Sequence, residues 1–284
     1  MPAKNTLIFI GGLGDGLCTV SYVPLLAKAL PPTWKLVQVV LSSSYMGWGF
    51  SSLDRDAAEL SECVKYFRGL EKDTNSGKII LMGHSTGCQD CMEYVVGPKG
   101  LTRSHGSRSW VDGIILQAPV SDREAMEVAM EDADYKLAAK EAERLISIGQ
   151  GDAIMPRELT KEFFNTICTA ERWYSLASPP PAHDGLDDYF SSDLTDQQLS
   201  KTFGDWRKGP RICILYGEAD EVVPPRVDKT RLVNRWTQFL SNIQADVDLK
   251  NGGVVPGATH TLENCDLVVV TDVLKRVVAF LEFS

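Results

Sequence analysis

The strongest constraint on what this chain can fold into is an alternation. Short apolar runs of strand character take turns with segments whose apolar residues recur at three- and four-residue spacing. That pattern predicts an α/β fold with a mostly parallel sheet covered by helices on both faces. The first strand is expected at Leu7–Ile10, followed by a Gly-rich turn and a helix with Val23, Leu26 and Leu30 on one face. A second strand at Leu36–Leu41 leads into a Ser/Gly/aromatic loop and a helix carrying Leu53, Ala57, Leu60, Val64 and Phe67. Lys78–Met82 is the third strand, a short helix then runs to about Val96, and Val111–Leu116 is the fourth strand. Alternation resumes at Arg211–Tyr216, with a helix over 227–241, a short strand near 246–250 and a last helix carrying Leu274, Val277, Val278 and Leu281.

Between Gln117 and Pro210 the alternation stops. Residues 121–150 read as helical and acidic, and 178–200 are rich in Pro, Asp and Ser and read as irregular. One domain over 1–284 with a mainly helical cap inserted at about 117–210 explains this better than two domains, because neither half alone would complete a sheet. The formal net charge is −9 and no basic cluster is present, which speaks against nucleic acid and against anionic membrane surfaces as partners. The chain also lacks an apolar run near the ~18 residues a membrane span needs. Its opening residues, Met1 to Thr6, lack the apolar core and cleavage site of a secretory signal. Seven cysteines at scattered spacing suit reduced thiols, and Cys88-x-x-Cys91 falls within a helix without a second pair. A cytoplasmic protein that needs no metal or other cofactor is the expectation.

Gly83-His84-Ser85-Thr86-Gly87 places a serine at a strand-to-helix junction, the context in which G-x-S-x-G forms a sharp turn that presents a nucleophile. A serine hydroxyl needs a base, and the base needs an acid to orient it. Four histidines are available. His84 sits inside the turn, where its ring should point away from the serine hydroxyl. His105 and His183 lie in polar loops and read as solvated, although His183 could line a pocket. His260, in a loop after the last strand and before the last helix, is the expected base. The acid should follow the strand at 211–216, where Asp220 competes with Glu218 and Glu221 and leads by its motif position. An acidic exposed loop is the plain alternative for all three. The order Ser85, Asp220, His260 is the order such turns use.

An acyl-transfer intermediate also needs two preorganised N–H donors. Thr86 N–H is one candidate. Leu13 N–H, in Gly11-Gly12-Leu13-Gly14-Asp15-Gly16, is the other. A dinucleotide fingerprint is the rival reading of that turn, but a pattern opened by Gly12 and Gly14 meets Leu17 where a third glycine belongs.

These motifs resemble a fungal group of α/β-hydrolases that includes intracellular esterases of fusarinine-type siderophores. The matching stretches are the Gly11–Gly16 turn, Ser42–Leu53, Gly83–Asp90, Gln117–Glu124 and the loops of Asp220 and His260, which span most of the chain. The resemblance implies a serine esterase working through an acyl-enzyme on a small-molecule ester, a fusarinine-type ferric siderophore whose cleavage releases iron inside the cell. Members of the superfamily usually carry a hairpin before the first strand identified here. Only about six residues precede it in this sequence; either the protein dispenses with the hairpin or the chain is shortened, and on both readings a sheet of six strands rather than eight is the expectation. Tyr45, Trp48, Trp173 and Tyr174 are candidates to pack on so bulky a ligand. The acidic excess of the cap reads either as a solvated surface or as a field that attracts a cationic substrate. The same triad would also serve a peptidase, amidase or acyltransferase. A non-catalytic scaffold would usually have lost a triad member, and all three are retained here.

Overall fold

A computed structural model describes residues 3–69, 77–163, 165 and 167–283. Met1 and Pro2, part of the opening stretch read above, lie outside it. Six strands form one sheet: β1 (Asn5–Ile10), β2 (Trp34–Gln38), β3 (Ile79–His84), β4 (Gly113–Gln117), β5 (Arg211–Gly217) and β6 (Gly253–Val255). The order is β2-β1-β3-β4-β5-β6 and every neighbouring pair is parallel. Ten α-helices are assigned among the described residues: α1 (Val23–Ala29), α2 (Leu53–Gly69), α3 (Gly87–Val96), α4 (Asp122–Ala129), α5 (Asp132–Ser147), α6 (Arg157–Thr160), α7 (Ala170–Ala177), α8 (Asp196–Ser200), α9 (Lys229–Asn242) and α10 (Leu267–Phe283).

Strand residues alternate between two cores, as the two-residue period of a strand requires. Ile8, Ile10, Ile79, Leu81, Ile114, Leu116, Ile212 and Ile214 face the side covered by α2, α3 and α9. Leu7, Phe9, Ile80, Met82, Ile115, Cys213 and Leu215 face the side covered by α1 and α10. Each fully buried aliphatic side chain contributes roughly 1.5–3 kcal/mol relative to exposure, so the two layers together hold the sheet.

One strand lies elsewhere than the sequence suggests. Near 246–250 the chain meets the sheet at a single isolated bridge, Val247 opposite Ile212, closed by Ile212 N–H donating to Asp246 O at 2.9 Å and Asp248 N–H to Ile212 O at 2.8 Å. The strand that pairs with β5 is 253–255, starting at Gly253, whose φ of +117° suits glycine. The segment between β4 and β5 is also less uniform than expected. Its first part, α4 to α7, builds a core of its own around Met126, Tyr135, Leu145, Phe163 and Trp173. Its later part returns to the main core through Phe190, Leu194, Leu199, Phe203 and Trp206.

The order of the strands selects the place for chemistry. The chain runs outward from β1 to β2, then crosses back over β1 to β3 and builds the sheet outward on the other side, so the direction of winding reverses between β1 and β3 and a crevice opens at their carboxyl ends. The Gly-rich turn after β1 and the turn after β3 both end there.

Candidate active site

Ser85 follows β3 directly and holds a φ of +53°, a left-handed conformation that costs a non-glycine residue. The strain is held by close packing on both sides. A Cβ on Gly83 would fall 2.3 Å from Gly87 O, and one on Gly87 would fall 2.5 Å from Ile10 O. A Cβ on Gly12 would fall 2.6 Å from Ser85 Cβ itself. The three glycines let the first turn, the elbow and α3 touch backbone to backbone. Ser85 N–H donates to Gln117 O on β4 at 3.0 Å, which anchors the turn to the sheet.

His260 stands in the loop between β6 and α10. Its Nε2 accepts from Ser85 Oγ at 2.8 Å, and its Nδ1–H donates to Asp220 Oδ2 at 2.9 Å. Asp220 and His260 are both buried. The two rival carboxylates in the 218–221 loop serve the backbone instead. Glu221 Oε2 accepts from His260 N–H and Glu218 Oε2 from Gly257 N–H, each at 2.9 Å. Lys229 Nζ donates to the carbonyls of Glu218 and Asp220 at 2.8 and 2.7 Å and so clamps the same loop from α9. Of the three acids, the one that meets the imidazole ring is Asp220.

Burial alone would push the His260 imidazolium down. The hydrogen bond and charge of Asp220, with Glu221 and Asp15 behind them, outweigh burial and raise its pKa above the ordinary imidazole value. His84 goes the other way. Burial and the nearby His260 charge lower it to about 4, so it is neutral near pH 7. Its Nδ1–H donates to Gln117 Oε1 at 2.6 Å, an oxygen that also accepts from Tyr22 OH at 2.8 Å. The ring packs 5.1 Å from that of His260, which makes it a wall of the site.

A cavity of about 440 Å³ opens over Ser85, within the range of small-molecule sites. Val120, Ala125, Val128, Ala129 and Phe163 supply its apolar wall, and Asp15, Asp122, Glu162 and Glu221 its carboxyls. Leu13 and Thr86 both line it, and among the described residues neither N–H has a hydrogen-bond acceptor. Asp15 holds the first turn in shape: its Oδ2 accepts from Gly12 N–H and its Oδ1 from Thr19 Oγ1, both at 2.8 Å. Asp122 accepts from Thr86 Oγ1 at 3.0 Å and from Gln89 Nε2 at 2.7 Å. Burial first, and then the charge of Asp187, push its carboxyl up to about 7.

The four aromatic candidates do not line this cavity. Trp48 and Trp173 are 1% and 0% exposed and pack edge-on to Phe163, with ring centroids 6.4 and 6.2 Å away. Large indoles gain more from the interior of the α4–α7 layer than from a wet mouth, and Phe163 is the ring that reaches the cavity. Tyr45 accepts from Leu17 N–H at 2.8 Å and covers Gly16, where a Cβ would fall 2.0 Å from its ring. Tyr174 OH donates to Asp184 at 2.8 Å, away from the cavity. His183, expected in solvent, has a side chain only 3% exposed and bonds Asp188 at 2.7 Å, whereas His105 is exposed.

Asp15, Asp122 and Phe163 were not singled out by sequence reasoning. Asp122 reads as one more charge on an acidic helix. The available signal is Ser121 before it, whose Oγ caps α4 by accepting from Glu124 N–H and so turns the first turn of that helix toward the elbow.

Comparison with known proteins agrees with this architecture. The family model described as "Protein of unknown function (DUF1749)" matches residues 1–282. Fusarinine C esterase sidJ of Aspergillus fumigatus is 39% identical over 298 aligned positions, covering 92% of this chain and 84% of the relative. A solved structure, siderophore hydrolase EstB from Aspergillus fumigatus, superposes with a TM-score of 0.86 at 36% identity and covers 100% of this chain and 91% of its own. A more distant structure, an α/β-hydrolase fold protein of unknown function, is 16% identical with a TM-score of 0.58, covers 99% of this chain and 89% of its own, and bears on the fold alone. The chain therefore belongs to the DUF1749 family and has the α/β-hydrolase fold.

Proposed function

We propose that this carboxylic ester hydrolase works through an acyl-enzyme on Ser85 and that its substrate is a fusarinine-type siderophore, whose cleavage releases iron inside the cell. The observation that carries the reading is the unbroken chain Ser85 Oγ–His260–Asp220, with links of 2.8 and 2.9 Å, at the floor of the cavity. In the first step Ser85 Oγ attacks the ester carbonyl and its proton passes to His260 Nε2. Asp220 holds the ring in the tautomer that leaves Nε2 free to accept, and stabilises the imidazolium that forms. The oxyanion is met by the N–H groups of Leu13 and Thr86. His260 then protonates the leaving alcohol, and a water activated by the same ring releases the acid from Ser85. Similarity to proteins described as a fusarinine C esterase and a siderophore hydrolase supports the substrate class.

The test offers purified protein a fusarinine-type siderophore, ferric and iron-free, beside short-chain aryl esters and peptide amides. Release of the monomeric hydroxamate acid, seen by mass spectrometry, is the expected result. Fast turnover of aryl esters with neither siderophore form cleaved would remove the siderophore assignment and leave the esterase. Peptide cleavage at rates above those of any ester would replace the reaction class.

A further inference from the structure

Behind the turn that carries Leu13 lies a second, far smaller cavity of about 20 Å³. Gly11, Gly12, Leu13 and Thr86 form one part of its wall, and the carboxyls of Asp56 and Asp90 another. Backbone that offers the oxyanion donors therefore faces two buried acids across a gap the size of one water molecule, since a single water needs ~10–15 Å³ on this measure.

Asp56, in the first turn of α2, is 2% exposed and accepts from Ser51 Oγ at 2.8 Å. Asp90, in the first turn of α3, is 5% exposed, and its Oδ1 has no hydrogen-bond partner among the described residues. A buried carboxyl oxygen left unpaired is costly, and ordered water meets such atoms where a polar site has room. Arg172 also lines this cavity, its Nη1 paired with Asp187 at 2.6 Å and its Nε donating to Trp48 O at 2.9 Å, so one cation stands beside the two acids.

We infer that Asp90 and Asp56 hold one ordered water against the Gly11–Leu13 turn, and that Asp90 is thereby a positioning residue for the two oxyanion donors. The chemistry of the site agrees. Burial pushes the Asp90 carboxyl well above the usual range, the charges of Asp56 and Asp187 push the same way, and Arg172 opposes them. The unpaired Oδ1 of Asp90 can accept from a bridging water, which has donors and acceptors of its own to pass on to the turn.

The inference rests on the esterase reading for its kinetic consequence, but not for the water. A high-resolution crystal structure of the wild-type protein should show a water peak within ~3.2 Å of Asp90 Oδ1; a clean map without one overturns the inference. Kinetics supply the second arm. Asp90→Asn keeps the shape, a donor and an acceptor, and should stay within ~3-fold of wild-type kcat. Asp90→Ala removes the brace and should lower kcat by ~10–10²-fold, with KM moved less than ~3-fold, because misplaced donors lose transition-state binding rather than substrate binding. Wild-type kcat in Asp90→Ala, or an equal fall in Asp90→Asn, overturns the positioning role. Should Asp90→Ala fail to fold, Asp56→Asn takes its place, with kcat near wild type expected and a collapse counting against the shared water. Ser85→Ala run in parallel separates the two claims: its full turnover would remove the Ser85 acyl-enzyme reading and leave the crystallographic arm to decide the water.

Discussion

At the residue scale, the site works by giving similar groups different surroundings. His84 and His260 lie 5.1 Å apart, yet burial holds one imidazole neutral while Asp220 raises the pKa of the other. A base must be neutral to accept the Ser85 proton, so kcat/KM should fall as pH drops through the His260 pKa. Because that pKa is raised, the midpoint should lie above the ordinary value of ~6.5; a pH-rate profile with its acid limb centred below ~6.5 would contradict the Asp220 contact. The three acids of the 218–221 loop divide in the same way. Asp220→Asn should leave the fold intact and lower kcat by roughly 10⁴ through loss of the tautomer. Glu221→Gln keeps an acceptor for His260 N–H and removes one source of the raised pKa. It should cost only a few-fold in kcat and move the acid limb down. The reverse ranking would reassign the acid. Position in the motif favoured Asp220 in the sequence. What separates it from Glu221 physically is side-chain direction in a tight loop, which sequence spacing does not encode.

At the element scale, function depends on three pieces of backbone meeting without side chains between them. A Cβ on Gly87 would press on the carbonyl oxygens of Ile10 and Gly11 at 2.5 and 2.7 Å, and backbone there cannot swing aside as a flexible side chain can. Gly87→Ala should therefore destabilise the fold by ~1–3 kcal/mol, read as a lower denaturant midpoint at unchanged m-value; an unchanged midpoint would show that the junction has slack. Gly12→Ala presses on Ser85 instead, and should spare stability more than activity, with kcat reduced by ~10²-fold. These junctions were legible because an apolar run, a Gly-rich turn and a helical period follow one another within a few residues. β6 was misplaced for the opposite reason. Val247 has strand character, but the residues that pair with β5 are Gly253, Val254 and Val255, a stretch too short and too rich in glycine to declare itself. Asp56 and Asp90 were equally silent, because an acid in the first turn of a helix normally reads as a solvated partner of the helix dipole.

At the scale of the whole molecule, the segment between β4 and β5 looks acidic in sequence, but several of its carboxylates are paired in space. Asp187 pairs with Arg172, Asp188 with His183, Asp193 with Arg123 and Asp196 with Arg235, while Asp184 accepts from Tyr174. Arg226 ties Glu124 and Glu127 of α4 to the loop after β5. Paired charges project a weak field, so the steering of a cationic ester expected from composition should be small. Between ionic strengths where the Debye length is ~30 and ~10 Å, kcat/KM should change by less than ~3-fold; a fall of an order of magnitude would restore the steering field. Trp48 and Trp173 were misread at this scale too. They are distant in sequence, and only the closed α4–α7 layer shows that they share a core behind Phe163. The central claim, that Ser85 carries the acyl group, is tested most directly by intact-protein mass spectrometry after reaction with a fluorophosphonate, with ester turnover followed in parallel. The wild-type protein should gain one adduct, mapped to Ser85, and lose its activity, whereas Ser85→Ala should gain none and turn over ester ~10⁶-fold more slowly. An adduct on another residue that abolishes turnover, or full turnover by Ser85→Ala, would contradict the account.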